Sequence, residues 1–87
     1  MRRGETSSSR EEGLAGAVGA MEENIMHCTL ALKGMRGDDA ATARISLREA
    51  RADLRAGRMY GAVRNIFEAG VQLGLAAAEN ESETPWW

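Results

Sequence analysis

The stretch from Leu14 to Met35, LAGAVGAMEENIMHCTLALKGM, decides the fold of this 87-residue chain. Its large apolar residues recur at alternating steps of four and three, a spacing typical of one stripe along an α-helix that packs against another helix. The stripe consists of Leu14, Val18, Met21, Ile25, Cys28, Leu32 and Met35. This periodicity predicts a long first helix from Arg10 to Met35, with Ser9 as its N-cap.

Two further helices are predicted behind the first one. We expect Gly37 to end the first helix and Asp38 or Asp39 to cap the second, which is predicted over residues 40–56. The third helix is predicted over residues 58–79. Apolar residues cover more than half of its surface, so we expect it to be the most buried of the three.

The turn between the second and third helices resembles the second half of a tetratricopeptide repeat. The resemblance extends over about 25 residues, less than one full repeat of that family. The matching residues are Gly57, Met59, Ala62, Val63, Ile66 and Ala69, with Ala50 and Leu54 in the preceding helix. The resemblance implies an antiparallel hairpin. The predicted fold is therefore all-α, with a long first helix and a C-terminal helical hairpin.

Composition predicts the domain organisation and a thin core. Residues 1–8 are polar and serine-rich and are expected to form a disordered tail, residues 9–79 the helical domain, and residues 80–87 an acidic tail. Fifteen residues are alanine and ten are glycine, and small side chains bury little area. We therefore expect oligomerisation to complete the core, most simply as a homodimer that uses the first helix's stripe or the glycines of the third helix.

Several function classes are disfavoured by the sequence. The net charge of −2 gives no overall attraction to nucleic acid or to an anionic membrane, and no apolar run is long enough to span a membrane. Cys28 is the single cysteine, so a reducing cytoplasm is the expected compartment. His27 points about 100° away from it, and a buried thiol beside an exposed imidazole is expected. No enzymatic motif, cofactor site or metal site is predicted.

A row of arginines is the sharpest local pattern. The row consists of Arg44, Arg48, Arg51, Arg55 and Arg58, at steps of four and three along the second helix. It suits a surface for an acidic protein partner or for phosphates. Alternatively, the arginine stems cover apolar edges while their heads pair with Glu22, Glu23, Glu49 or Glu68. The acidic flanking helices favour this second interpretation.

The two tryptophans of the chain are its last residues, Trp86 and Trp87. Indoles are frequent anchors in protein interfaces, so this tail suits docking into a partner or a neighbouring subunit. Folding back onto its own domain is the alternative.

The sequence favours a small non-enzymatic interaction module that binds a larger protein and regulates or inhibits it. Small helical chains of phages and mobile elements often work in this way. Nucleic-acid or nucleotide binding by the arginine row is the alternative, as is a helix-turn-helix over residues 52–66 that reads DNA with Arg58, Arg64 and Asn65. A third hypothesis is an assembly subunit without a further ligand.

Overall fold

The computed structural model describes the backbone of residues 3–83 and the side chains of residues 10–81. It contains three helices in this range: α1 (Arg3–Ala31), α2 (Asp38–Ala56) and α3 (Met59–Glu83). The predicted all-α class with a long first helix is confirmed. None of the three helices is long and apolar enough, over the described residues, to cross a membrane. Trp86 and Trp87 lie outside the described residues.

Helices α2 and α3 form the predicted antiparallel hairpin. The Ser46 hydroxyl donates to Gln72 Oε1 at 2.9 Å, and Asn65 Nδ2 donates to Asp53 Oδ2 at 2.8 Å. Residue numbers therefore fall along one helix as they rise along its neighbour. Both bonds lie on the side of α2 that faces α3, so they fix the register of the pair.

The turn of this hairpin depends on Gly57 and Asp53. Gly57 has a φ of 78°, a left-handed conformation that glycine adopts without a Cβ penalty, and it ends α2 as predicted. The backbone N–H groups of Gly57 and Arg58 donate to the carbonyls of Leu54 and Asp53 at 3.1 and 2.8 Å. Gly61 is the point of closest approach, because a Cβ there would lie 2.9 Å from Asp53 Oδ2.

Helix α1 packs against this hairpin through its C-terminal half. Arg44 of α2 donates from one guanidinium nitrogen to the carbonyls of Leu32 and Met35, at 2.9 and 2.8 Å. The amide of Asn80 and the backbone of Arg36 exchange hydrogen bonds of 3.0 and 3.1 Å, which join the loop before α2 to the end of α3. By contrast, every side chain from residue 10 to residue 17 is exposed, so the first half of α1 projects from the body.

The predicted ends of α1 are wrong at both termini. The helix begins at Arg3 and runs through Ser9, because a capping residue does not break a helix and residues 3–8 contain no proline. It ends at Ala31 rather than Met35, and Gly34, with a φ of 85°, takes the left-handed conformation expected of Gly37. Arg44 donates to the carbonyls of Leu32 and Met35, which follow the last turn of α1 and have no partner in a helix there.

The remaining boundaries shift by a few residues. Helix α2 starts at Asp38, and Gly37 occupies its cap position without a side-chain hydrogen bond, so neither Asp38 nor Asp39 is the cap. Both carboxylates instead lie in the first turn, where they interact favourably with the positive end of the helix dipole. Helix α3 continues to Glu83, four residues past the predicted end, because no proline or glycine follows Gly74 before that point.

The core is small and rich in alanine. Ile25 and Leu32 are the largest fully buried side chains, and Leu47 is the next. Partly buried Cys28 and Met35 pack against them, which confirms the C-terminal half of the predicted stripe of α1. The alanines that complete the core are Ala40, Ala43, Ala50, Ala69 and Ala76. Leu14 is 54% exposed, so the first part of that stripe has no partner within the described chain.

The prediction that the third helix is the most buried is wrong. Only its alanines are fully buried, whereas Tyr60, Val63, Phe67, Val71 and Leu75 are exposed. The pattern was misread because α3 has two apolar faces and the other two helices cover one of them. Five glycines of α1 and α3 meet no other helix within the described residues: a Cβ at position 13, 16, 19, 70 or 74 would have no neighbour within 4 Å.

Candidate functional site

The structure divides the predicted arginine row into two groups. Arg44 is bonded to the carbonyls that follow α1, and Arg58 forms an ion pair of 2.8 Å with Asp53 at the hairpin turn. These two arginines therefore hold the fold together at opposite ends of α2. Arg48, Arg51 and Arg55 are exposed, and within the described part of the chain they form no ion pair.

The predicted pairing of this row with glutamates is not formed. Glu68 lies 3.6 Å from Arg64 on its own helix, and Glu49 borders the side of α2 that faces α3. The arginine row lies on the other side of α2 and faces α1. Only Glu22 comes near it, and no ion pair of 4.0 Å or less joins Glu22 to an arginine of the described chain. The guanidinium groups of the central arginines are therefore available to a ligand.

An open groove of about 470 Å³ runs between α1 and α2 along this arginine row. Its apolar surface comes from Leu30 and Leu47, and Thr29 adds a hydroxyl. The cationic side chains that line it are Lys33, Arg44, Arg48 and Arg51. No acidic residue lines this groove within the described chain, so every charged side chain that borders it there is cationic. We call it the cationic groove.

A second hollow of about 320 Å³ continues the cationic groove toward the first half of α1. Arg51 lines both, so the two hollows are neighbours along the α1–α2 boundary. The second hollow adds Arg55 and the apolar surface of Val18 and Leu54, together with the single acidic residue Glu22. Apolar surface at the bottom and guanidinium groups along one wall suit an extended amphipathic ligand with negative charge.

Sequence reasoning missed the contribution of α1 to this groove. Lys33, Leu30 and Thr29 become neighbours of the arginine row only because α1 packs antiparallel to α2. One signal was present in the sequence, because Met26 and Leu30 are apolar residues that lie off the main stripe of α1. Both side chains are about half exposed, and Leu30 borders the open groove.

The packing of α2 against α3 contradicts the helix-turn-helix hypothesis. Helices of that motif cross at about 90–120°, whereas α2 and α3 contact each other from the turn to their far ends. Arg58 and Asn65, two of the expected base-reading residues, are both bonded to Asp53. Arg64 is the third, and it pairs with Glu68 on its own helix.

The His27–Cys28 pair has the arrangement expected of structural residues. Cys28 is a free, partly buried thiol packed against the core, and His27 is exposed. Among residues with described side chains, no group of three or more His, Cys, Asp or Glu could hold a metal ion.

Comparison with known proteins adds no assignment. No protein-family model, curated protein or solved structure matches this chain. The case for function therefore depends on the cationic groove and on the exposed apolar surfaces.

Proposed function

We propose that this chain is a small non-enzymatic interaction module that binds a larger protein in its cationic groove and thereby regulates or inhibits it. The observation that carries the proposal is the lining of the groove, which combines four cationic side chains with two leucines and contains no acidic residue among the described residues. The expected ligand is an acidic amphipathic helix of the partner.

The chemistry of the groove favours a peptide over a bare polyanion. A helix in a groove inserts apolar side chains at steps of three and four and keeps its polar residues at the rim. Leu30, which is 60% exposed, offers the apolar contact, whereas Leu47 is 3% exposed and closes the bottom of the groove. Arg48 and Arg51 offer forked donors that match carboxylates. Because these arginines have no acidic partner in the described chain, binding need not break an existing ion pair.

Trp86 and Trp87 are proposed as a second anchor for the same partner, although they lie outside the described residues. Removing both should abolish partner binding and leave helicity and melting temperature nearly unchanged. A large loss of stability would show instead that the tail belongs to the core. The chain is also proposed to act as a homo-oligomer, most simply a dimer, in a reducing cytoplasm.

Nucleic-acid or nucleotide binding is the second candidate, and the spacing of the unpaired arginines favours it. Arg48, Arg51 and Arg55 follow one side of α2 over about 10 Å, given a rise of 1.5 Å per residue. A row of this kind can follow a phosphate backbone, and its affinity would then fall steeply with salt. The leucines of the groove would have no role in such a complex, which is why we rank it second.

The test is a binding titration with three defined probes. The first is a fluorescent acidic helical peptide with leucine at steps of three and four, the second the same peptide with alanine in place of leucine, and the third a short DNA duplex. Arg48→Glu with Arg51→Glu cancels the positive charge of the groove lining, because Lys33 and Arg44 then face two glutamates, and takes the net charge of the chain from −2 to −6. Arg10→Glu with Arg36→Glu changes the net charge equally at exposed positions outside the groove, and is the matched control.

The proposal expects saturable binding of the leucine peptide, weakened at least about tenfold by the groove variant, which removes charge-assisted hydrogen bonds. The control variant should bind as the wild type does. Equal losses in both variants, or no binding of the leucine peptide, would contradict the proposal. Preference for the duplex or for the alanine peptide would promote the second candidate instead.

A further inference from the structure

The side of α3 that faces away from α1 and α2 is a continuous apolar surface. Tyr60 and Phe67 are 78% and 72% exposed, and Val63, Val71 and Leu75 are each slightly more than half exposed. They recur at steps of three and four, so they share one side of the helix. We call this surface the outer α3 face. It uses none of the residues of the cationic groove.

The area of the outer α3 face is large for a chain of this size. An aromatic side chain offers on the order of 150–250 Å², so Tyr60 and Phe67 together leave about 300 Å² uncovered. The three aliphatic residues raise this toward roughly 600 Å², the upper end of the largest apolar patches on monomers. A standard interface buries about 800 Å² per partner, so this face supplies most of what a stable dimer needs.

We propose that a second copy of this chain covers the outer α3 face, with the two α3 helices antiparallel and the two-fold axis between Gly70 and Val71. In this register the numbers of two residues that face each other across the interface add up to 141. Val71 then faces Gly70 of the partner subunit, and Phe67 faces Gly74 of the partner subunit. Each large residue near the axis is thus opposite a glycine, which allows the two backbones to approach closely.

The same register holds toward both ends of the face. Val63 meets Ala78 of the partner subunit, another large residue against a small one. Tyr60 meets Glu81 of the partner subunit, so its hydroxyl is placed to donate to a carboxylate. A two-fold interface must be complementary to itself, and this register pairs large with small residues at positions 63, 67 and 71. Leu75 meets Ile66 of the partner subunit, which is a contact between two large apolar residues. This self-complementarity is the reason to assign the face to a second copy rather than to an unrelated protein.

The glycines support the assignment independently of the apolar residues. A glycine in a helix interior is destabilising relative to alanine. Among the described residues nothing approaches either position, since a Cβ at Gly70 or Gly74 would have no neighbour within 4 Å. The described part of the chain therefore leaves this space free for a partner. The charged residues beside the outer α3 face do not oppose dimerisation, because Arg64 and Glu68 form an ion pair of 3.6 Å with each other.

The first test is the mass of the full chain by size-exclusion chromatography with light scattering. One chain is 9.4 kDa, so the proposal expects twice that mass for the wild type. Phe67→Glu should reduce it to one chain, because the substitution places a charge in the interface. Ile45→Glu is the matched control: Ile45 is 50% exposed on α2, outside the face, and the substitution should leave the dimer intact.

The second test fixes the register and applies even if Phe67→Glu fails to fold. In a Cys28→Ala background, a short bismaleimide should cross-link Val71→Cys, because its two copies flank the axis. Val63→Cys should not cross-link, because its two copies would lie about 22 Å apart along the helices at 1.5 Å per residue. Ile45→Cys serves as the control for chance collisions.

The outcomes separate this inference from the rest of the proposed function. This inference depends on the proposed homo-oligomer but not on the cationic groove. A result that disproves ligand binding in the groove therefore does not affect the dimer, and a result that disproves the dimer does not affect ligand binding. A monomeric wild type, or a dimer that survives Phe67→Glu, overturns it and leaves the face to a different partner. Equal cross-linking at positions 63 and 71 would indicate parallel pairing and would overturn it as well.

Discussion

Replacing Arg44 by alanine tests whether the arginine row has both a structural and a ligand-binding group. In the folded chain one guanidinium nitrogen of Arg44 donates to two carbonyls, at 2.9 and 2.8 Å, and ties the end of α1 to α2. A hydrogen bond to a charged group is worth about 1.5–3 kcal/mol when it is well shielded, and less when exposed. Because one bond is part-buried and the other exposed, we expect a total loss of about 2 kcal/mol.

For a domain of this size that loss corresponds to a decrease in melting temperature of roughly 8–16 °C. Arg48→Ala is the matched control, since Arg48 lies one turn further along α2 and has no ion pair within the described residues. Its melting temperature should stay within about 2 °C of the wild type, as is usual for surface substitutions. Circular dichroism at one fixed chain concentration would measure both, because oligomerisation makes melting concentration-dependent. Equal melting temperatures of the two variants would refute the division of the arginine row into a structural group and a ligand-binding group.

Three further substitutions test the packing. Leu32→Ala should lower the free energy of unfolding by about 2–5 kcal/mol in urea titration, because Leu32 is 1% exposed and an alanine leaves a cavity; a loss below about 1 kcal/mol would contradict its place in the core. Gly61→Ala should destabilise the hairpin despite the better helix propensity of alanine, because the new Cβ would lie 2.9 Å from Asp53 Oδ2. Gly16→Ala, in open space on α1, should instead stabilise by up to about 1 kcal/mol, and the opposite order of melting temperatures would disprove this explanation.

The three helices could be predicted because their signals are local. Gly57 ends α2 through its own backbone conformation, and the apolar periodicity of α2 correctly marks its buried side. The end of α1 was misplaced because both Gly34 and Gly37 suit a helix end, and the chain takes the left-handed conformation already at Gly34. The burial of α3 was overestimated because periodicity shows that a face is apolar but not what covers it.

The candidate site was only partly predictable. The spacing of the arginines placed Arg44, Arg48, Arg51 and Arg55 correctly on one side of α2, yet nothing in that spacing shows which of them are bonded. Arg58 lies beyond α2 and pairs with Asp53, five residues earlier, through a turn whose geometry depends on Gly57. Lys33 enters the groove from the turn that follows α1. Contacts between helices, rather than patterns within one, decide which charges remain available.

The antiparallel hairpin also has a consequence for how the chain folds. Its hydrogen bonds join residues that are progressively further apart in sequence: Asp53 with Arg58, then Asp53 with Asn65, Ser46 with Gln72, and finally Arg36 with Asn80. Closing a short loop loses less chain entropy than closing a long one, so pairing that starts at Gly57 can propagate outward in small steps. Folding dominated by such local contacts is fast. The projecting half of α1 forms none of these hydrogen bonds. The rate at which the body folds therefore does not depend on when that half becomes ordered.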